Sequence, residues 1–461
     1  MRFAGSLIAF VLCCDVWTAA GQFSEDDGAL YLTPMIRANK IKEARAACAV
    51  KPLKADIKSY SGYLTVNDTT RSNLFFWFFP AMEDDANAPV LLWLQGGPGA
   101  SSLYGLFEEH GPFSVGKSHG LKLRNHTWVY QHSVLYVDNP VGTGFSFTED
   151  DAGYSTEQGD VGLNMYVALV QFFTLFPEYQ KNDFFVTGES YAGKYVTAVS
   201  YAIHLNNPNA ALKINLKGLA IGNGLIDPIN QLVYSEYLYE HGFLDDDGKH
   251  QFELMENKAR AEILSGDYTA AFNTFDMLLN ADVYPYPSLF KNLTGFGYYF
   301  NMLFDRDPSV HGNWSTYVQG PTIRSSLHVG NRSLNNGIEV ERHLLNDVMQ
   351  SMSSWLAALL NTGKYRVLLY SGQLDIIVPY RGTMCMAKSL KWSGADKFKN
   401  ATRTIWRLTE PGTNSTVVAG YATTSGPLTV VLVRNAGHMV PGDQPISGID
   451  LINRFTTGKS F

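Results

Sequence analysis

The segment Phe184 to Gly193, FFVTGESYAG, is where residue types and spacing come nearest to a reaction. An apolar run enters Gly188-Glu189-Ser190-Tyr191-Ala192, and a helix-period segment follows through His204. A serine with tiny residues two places before and after it is the pattern of a nucleophile elbow, a sharp strand-to-helix turn that holds the hydroxyl in strained geometry. The residues must be tiny because the turn brings those positions into contact. Ala192 stands where a second glycine is usual, a mild departure offset by Gly193. The helix beginning after Ser190 points its N-terminus at the hydroxyl and favours a developing negative charge. Alone, the same residues also describe an ordinary strand-to-helix turn. Partners decide.

A serine hydroxyl is a weak nucleophile and needs a base oriented by an acid. When the three hang from successive strands of an α/β sheet, they follow in the order serine, acid, histidine. Asp375 follows the apolar run RVLLYSGQL, and His438 follows LTVVLVRNAG. Of the chain's 11 histidines, only His438 sits in a glycine-flanked loop after the last strong strand. Ser190, Asp375 and His438 are therefore the expected triad. The loop Gln95-Gly-Gly-Pro-Gly99 after VLLWL leaves peptide groups accessible at Gly96 and Gly97, as donors to a tetrahedral oxyanion require. A phosphate-cradling role fits poorly, since no Gly-Lys-Ser/Thr follows. No His-Glu-x-x-His or Cys-x-x-Cys pattern supports a metal, and no cofactor is expected.

The elements that must position these groups read as an α/β fold. Gly62 to Val66 and Leu74 to Phe79 form a hairpin with Asn67–Asp68 in its turn. Val90 to Leu94, Ser133 to Val137 and Phe184 to Thr187 are continuous apolar runs, as buried parallel strands are. Val161 to Phe176 carries helix-period apolar positions and stops before Pro177. Strand, loop, helix, strand predicts an α/β-hydrolase fold, a mostly parallel central sheet flanked by helices. The rhythm lapses between about Ile226 and Asn335, where aromatic and polar residues mix around Tyr284-Pro-Tyr-Pro287. It returns with a helix near Asp347 to Leu360 and strands at Arg366–Tyr370 and Leu428–Val433. The expected organisation is residues 1–21 as signal peptide, 22–225 as the first part of the core, 226–335 as an inserted helical cap and 336–461 as the second part.

Composition agrees with a globular chain: 461 residues, 45% hydrophobic and 17% charged, bury a sizeable core. A net charge of -7 makes nucleic acid a poor partner. Arg2, the run Leu7 to Cys14 and the small residues Ala19, Ala20 and Gly21 read as a cleavable secretory signal, too short to span a bilayer. No later run is long and apolar enough to cross a membrane. Asn-X-Ser/Thr acceptors at Asn67, Asn125, Asn292, Asn313, Asn331, Asn400 and Asn414 favour the secretory pathway. Cys13 and Cys14 leave with the signal, so Cys48 and Cys385 remain, either paired or as two free thiols.

With these residues in view, the chain resembles the serine carboxypeptidase family, the carboxypeptidase Y and cathepsin A type, and looks closest to its vitellogenic carboxypeptidase-like branch. The matching segments are LLWLQGGPGASSLYGLFEEHGPF, YVDNPVGTGFSF, VTGESYAGKYV, IGNGLIDP, YSGQLD and RNAGHMVPGDQP, in the family's order from about residue 55 onward. The resemblance implies an exopeptidase that removes one residue from the free C-terminus of a peptide or protein through an acyl-enzyme. It implies Ser190 as nucleophile, His438 as general base and acid and Asp375 as its orienter. The amides of Gly97 and Tyr191 would form the oxyanion hole. Gln95, Gly96, Glu109 and Glu189 would bind the substrate carboxylate, and Met439 would line the leaving-residue pocket. Chemistry makes sense of two glutamates there: ionised, they would repel a carboxylate, so the pair must hold protons. An acidic working range follows, fitting a lysosome, vacuole or yolk granule as well as a secreted enzyme.

The chain departs from the family's common pattern at Gln95, usually Asn, at Ala100, often Cys, and at Glu108, usually apolar. An acyltransferase would use the same triad, but transferase relatives tend to alter the position of Glu189. A non-catalytic partner or stored yolk protein is the other alternative, against which an intact triad speaks. The sequence leaves open the oligomeric state and whether residues up to about Leu53 are removed as a propeptide.

Overall fold

The computed structural model describes residues 27–461 except 118–119, 284–285, 309–312 and 410–414; the expected signal peptide and Asn414 lie outside the described residues. Twelve strands follow in chain order: β1 (Tyr60–Asn67), β2 (Ser72–Phe79), β3 (Val90–Leu94), β4 (Phe113–Val115), β5 (Leu121–Leu123), β6 (Ser133–Val137), β7 (Phe184–Glu189), β8 (Leu216–Gly222), β9 (Arg366–Gly372), β10 (Arg403–Thr409), β11 (Thr416–Ser425) and β12 (Leu428–Val433). Ten form one sheet in the order β1-β2-β6-β3-β7-β8-β9-β12-β11-β10, and β4 pairs separately with β5. From β6 through β12 the neighbours run parallel, and antiparallel strands extend each side.

Apolar residues on both sides of each central strand explain why both faces are covered. In β2, Phe76 and Phe78 enter one core cluster, while Phe75, Trp77 and Phe79 enter the other. The helix Gln158–Leu175 lies on the first face, where Phe172 meets Phe78 edge-on at 4.9 Å between ring centroids. It ends before Pro177, which lacks the N–H to continue it. The N-terminal stretch belongs to the same body: Leu32, Ala44 and Cys48 are fully buried, and backbone bonds from Leu32 and Val50 to Tyr63 and Ser59 cover the outer edge of β1.

The hairpin, the central strands and the mostly parallel sheet are as the sequence predicts. Three points differ. The sequence reading places no strand at β4, β5, β8, β10 or β11; β10 opens with three exposed residues and carries Arg403 and Arg407, so it shows no continuous apolar run. The single helix expected near Asp347–Leu360 is two, Ile338–Val348 and Ser353–Asn361. Between them the Met352 amide bonds out to the Ile226 carbonyl, and the Ser351 hydroxyl takes the Ser353 amide, so the ladder is diverted. The two cysteines do not pair: Cys48 is buried and Cys385 exposed, both free. Between β8 and β9 the described residues from 226 to 335 supply helices and no strand to the large sheet. No described helix is long and apolar enough to cross a membrane.

Candidate active site

The loops after β3, β7, β8, β9 and β12 all leave the C-terminal ends of parallel strands, the edge where α/β sheets place their sites. Ser190, half-buried, sits after β7 with φ 65, a left-handed conformation that a side chain adopts only when its surroundings enforce it. Its amide donates to the Gly222 carbonyl, and its own carbonyl takes the Leu225 amide. A β-carbon at Gly188 would stand 2.6 Å from the Leu94 carbonyl oxygen and 3.0 Å from Cβ of Ala192. The elbow therefore needs glycine at Gly188, while Ala192 is the neighbour that fits.

Asp375 and His438 arrive together. His438 Nδ1 and Asp375 Oδ2 are 2.8 Å apart, and both side chains are buried. Asp375 also accepts from Asn223 Nδ2 at 2.6 Å and from the amides of Ile377 and Val378. Nε2 of His438 is buried without a hydrogen-bond partner. The histidine loop is held from the segment between β8 and β9: the His438 amide donates to the Phe300 carbonyl, and Asp443 accepts from both Asn301 and the Gly437 amide.

The glycine loop after β3 closes against the elbow. A β-carbon at Gly96 would lie 2.6 Å from the Tyr191 nitrogen and 2.7 Å from Cβ of Ser190. Gly97 follows with φ 105, and neither its amide nor that of Tyr191 donates to another described group. Asp138 anchors the far end of this loop by accepting from the Ser101 hydroxyl and the amides of Ser102 and Phe145. Burial pushes its carboxyl up to about 6 against those bonds.

Gln95, Glu109 and Glu189 form one buried cluster. Trp93 Nε1 donates to Gln95 Oε1 at 3.0 Å, which turns the amide so that Nε2 donates to Glu189 Oε1 at 2.9 Å. Glu109 lies on the π-helical turn Gly105–His110, a wide winding often found at functional sites. Neither Glu109 oxygen, and only one of Glu189, has a donor in bonding geometry. A carboxyl that holds a proton is itself a donor, which an ionised one is not. Burial pushes Glu109 up to about 7, and burial followed by repulsion from Glu109 drives Glu189 well up. Glu108, half-buried, is raised to about 7 by burial, opposed by Arg124. Met439 sits partly exposed beside this turn: a β-carbon at Gly442 would be 3.2 Å from the Glu108 carbonyl oxygen and 3.8 Å from Met439 Cβ.

Residues 50–458 match the serine carboxypeptidase family, peptidase S10. The chain belongs to that family. It is 53% identical to the venom serine carboxypeptidase of Apis mellifera over 95% of this chain and 93% of the relative. It is 44% identical to the probable serine carboxypeptidase CPVL of Homo sapiens, covering 94% and 90%. With the vitellogenic carboxypeptidase of Aedes aegypti the identity is 42%, covering 93% and 89%. Among solved structures, Kex1(delta)p, a prohormone-processing carboxypeptidase from Saccharomyces cerevisiae, superposes with a TM-score of 0.74 at 24% identity, covering 90% of this chain and 96% of that one. That likeness carries the α/β-hydrolase fold. As a family member the chain is a serine-type carboxypeptidase, a hydrolase of peptides.

Of the groups sequence reasoning named, the structure brings Asp375 to His438, Gln95 to Glu189, and Gly96 to the elbow of Ser190 and Tyr191. It also supplies groups that reasoning missed. Asn223 donates to Asp375 and accepts the Gly372 amide, tying β8 to β9. Its signal was Gly222-Asn223-Gly224 directly after an apolar run. Trp93 sets the Gln95 amide, and Phe300 and Asn301 hold the histidine loop. Asn67, Asn125, Asn292, Asn313, Asn331 and Asn400 are all exposed.

Proposed function

We propose that the enzyme hydrolyses the last peptide bond of a chain with a free C-terminus, through an acyl-enzyme on Ser190, and works best in acid. The observation that carries this reading is the buried Glu109–Glu189 pair beside a serine elbow, in which one oxygen of Glu189 alone receives a donor and burial favours the protonated form. A protonated pair donates to a carboxylate; an ionised pair repels one. Gln95 Nε2 and the backbone at Gly96 stand beside it to complete carboxylate recognition, with Met439 lining the pocket of the leaving residue.

Ser190 Oγ attacks the scissile carbonyl carbon while His438 Nε2 takes its proton, and Asp375 holds the imidazole by Nδ1. The oxyanion that forms is met by the amides of Gly97 and Tyr191. When the intermediate collapses, the C–N bond breaks and His438 returns the proton to the departing amine. Water then attacks the acyl ester with His438 again as base, releasing the shortened peptide and free Ser190. Retention of Glu189 and Glu109 favours hydrolysis of peptides over acyl transfer to alcohols.

The proposal extends to compartment and organisation: a signal peptide at 1–21, a helical cap at 226–335 between two parts of the core, and glycans on the exposed acceptor asparagines. Enzyme made in eukaryotic cells gains gel mobility on deglycosylation; an unchanged band opposes the secretory reading. The central test uses blocked dipeptides and a fluorophosphonate. Wild-type enzyme releases the C-terminal amino acid and is labelled at one serine; Ser190→Ala abolishes both while secretion continues. Labelling that survives Ser190→Ala removes the assignment.

A further inference from the structure

Lys194 and Asp347 are opposite charges with side chains only 0% and 4% exposed, and their Nζ and Oδ2 stand 2.8 Å apart. Lys194 lies in the first turn of the helix Ala192–Asn206 that follows the nucleophile, and Asp347 in the last turn of Ile338–Val348. The same Oδ2 accepts from the Tyr191 hydroxyl at 2.5 Å and from Gln158 Nε2 at 2.7 Å, and Lys194 Nζ also reaches the Asp347 carbonyl oxygen. Burial pulls Lys194 down and Asp347 pulls it back up. A buried ion pair adds little net stability over apolar residues of the same shape. An apolar pair would join the two helices as well, but it would give the Tyr191 hydroxyl no acceptor.

The other end of the same 11-residue helix meets the glycine loop. A β-carbon at Gly99 would lie 2.7 Å from Cα and from the carbonyl oxygen of Gly337, which caps the helix, and 3.0 Å from Cβ of Val340. Gly99 closes the loop that carries Gly97, and Tyr191 follows Ser190. One helix thus touches both walls of the gap between the two free amides. It is also the first helix after the segment 226–335, and it packs on that segment's helix Tyr268–Phe275.

The geometry points to the helix Ile338–Val348 as a brace that sets the spacing of the Gly97 and Tyr191 amides, with Asp347 as a positioning residue acting through the Tyr191 side chain. This inference rests on the serine-nucleophile reading above. Its distinctive signature is a defect confined to the transition state, because the amides themselves and the carboxylate site are left in place.

The test compares Tyr191→Phe, Asp347→Asn and the double variant Lys194→Met/Asp347→Leu with wild type. The measurements are kcat, KM, Tm and affinity for a peptide boronate, whose tetrahedral adduct places an oxygen between the amides. Tyr191→Phe is expected to lower kcat about tenfold, with KM within about twofold, and to weaken boronate binding by the same factor as kcat/KM. The double variant leaves the buried Tyr191 hydroxyl and Gln158 Nε2 without that acceptor, so it is expected to stay folded with Tm lowered by several degrees and to lose about 100-fold in kcat well below that Tm. If Asp347→Asn does not fold, the other two variants decide. Wild-type kcat in both, or a loss seen only in KM, overturns the brace while leaving the carboxypeptidase reading intact. A wild-type enzyme that releases no C-terminal residue overturns the reading itself.

Discussion

Two sets of buried carboxyls stand within one site and are treated oppositely. Four N–H groups converge on Asp375, from His438, Asn223, Ile377 and Val378, an arrangement that only an acceptor fills. Glu109 is equally buried, yet no donor reaches either of its oxygens, and Glu189 receives Gln95 alone. Burial is the same in both places. What differs is the supply of donors, and donors decide whether a buried carboxyl orients a base or stores a proton. The mechanism proposed above uses both: a fixed acceptor behind the histidine, and a proton source where the substrate would bring its own negative charge.

The contrast breaks most sharply at Asp375. Asp375→Asn puts an N–H where donors already converge and presents the wrong group to His438, so kcat is expected to fall about 10,000-fold with little change in KM. A fall under about tenfold would show that acceptor and histidine are not coupled.

The next largest effect is on stability. The Glu109–Glu189 pair, raised by burial, binds protons in the fold that the unfolded chain releases at lower pH. Their stabilisation is complete below the unfolded carboxyl range and is lost as pH rises through the folded values. Unfolding free energy is expected to drop by roughly 3 kcal/mol between pH 4.5 and pH 7.5. Glu109→Gln should flatten that slope in denaturant titrations at the two pH values; an unchanged slope counts against proton storage.

Catalysis reads the same protons. For a peptide acid, kcat/KM should decline by up to about tenfold per pH unit above the pair's raised range, while the matching peptide amide keeps its rate to higher pH. Glu109→Gln should weaken the acid dependence for the peptide. Parallel profiles for acid and amide would falsify this mechanism. The smallest effect is at Asn223, whose φ of 42 makes glycine the least disruptive replacement. Asn223→Gly removes one donor from Asp375 and should lower kcat about tenfold, without altering the pH range of carboxylate binding.

The proposed triad, of which the structure joins Asp375 to His438, is legible because its members follow strands in a fixed order, and each strand is a plain apolar run. The carboxylate cluster was legible only through family resemblance; nothing local tells Glu109 from Glu108. Asn223 escaped because a lone asparagine between glycines reads as a turn. The break between Val348 and Ser353 escaped because Leu344, Val348, Met352 and Leu356 keep a helical spacing through it, so the core sees continuity where the backbone has none. Lys194 looked like any charge on a helix. Its buried partner, Asp347, lies far along the chain, and no window of sequence contains both.

The pairing of β8 with β9 joins Gly218 to Arg366 across everything between them. At ordinary translation speeds of about 5–20 residues per second, β9 leaves the ribosome roughly 7–30 s after β8. For that interval β8, with the sequence Leu216-Lys-Gly-Leu-Ala-Ile-Gly222, has β7 on one side and an open edge on the other. An apolar strand with an open edge is a template for other chains. The long return also gives this sheet the high contact order of slow folders. That edge of β8 stays a pairing template until β9 arrives to close it.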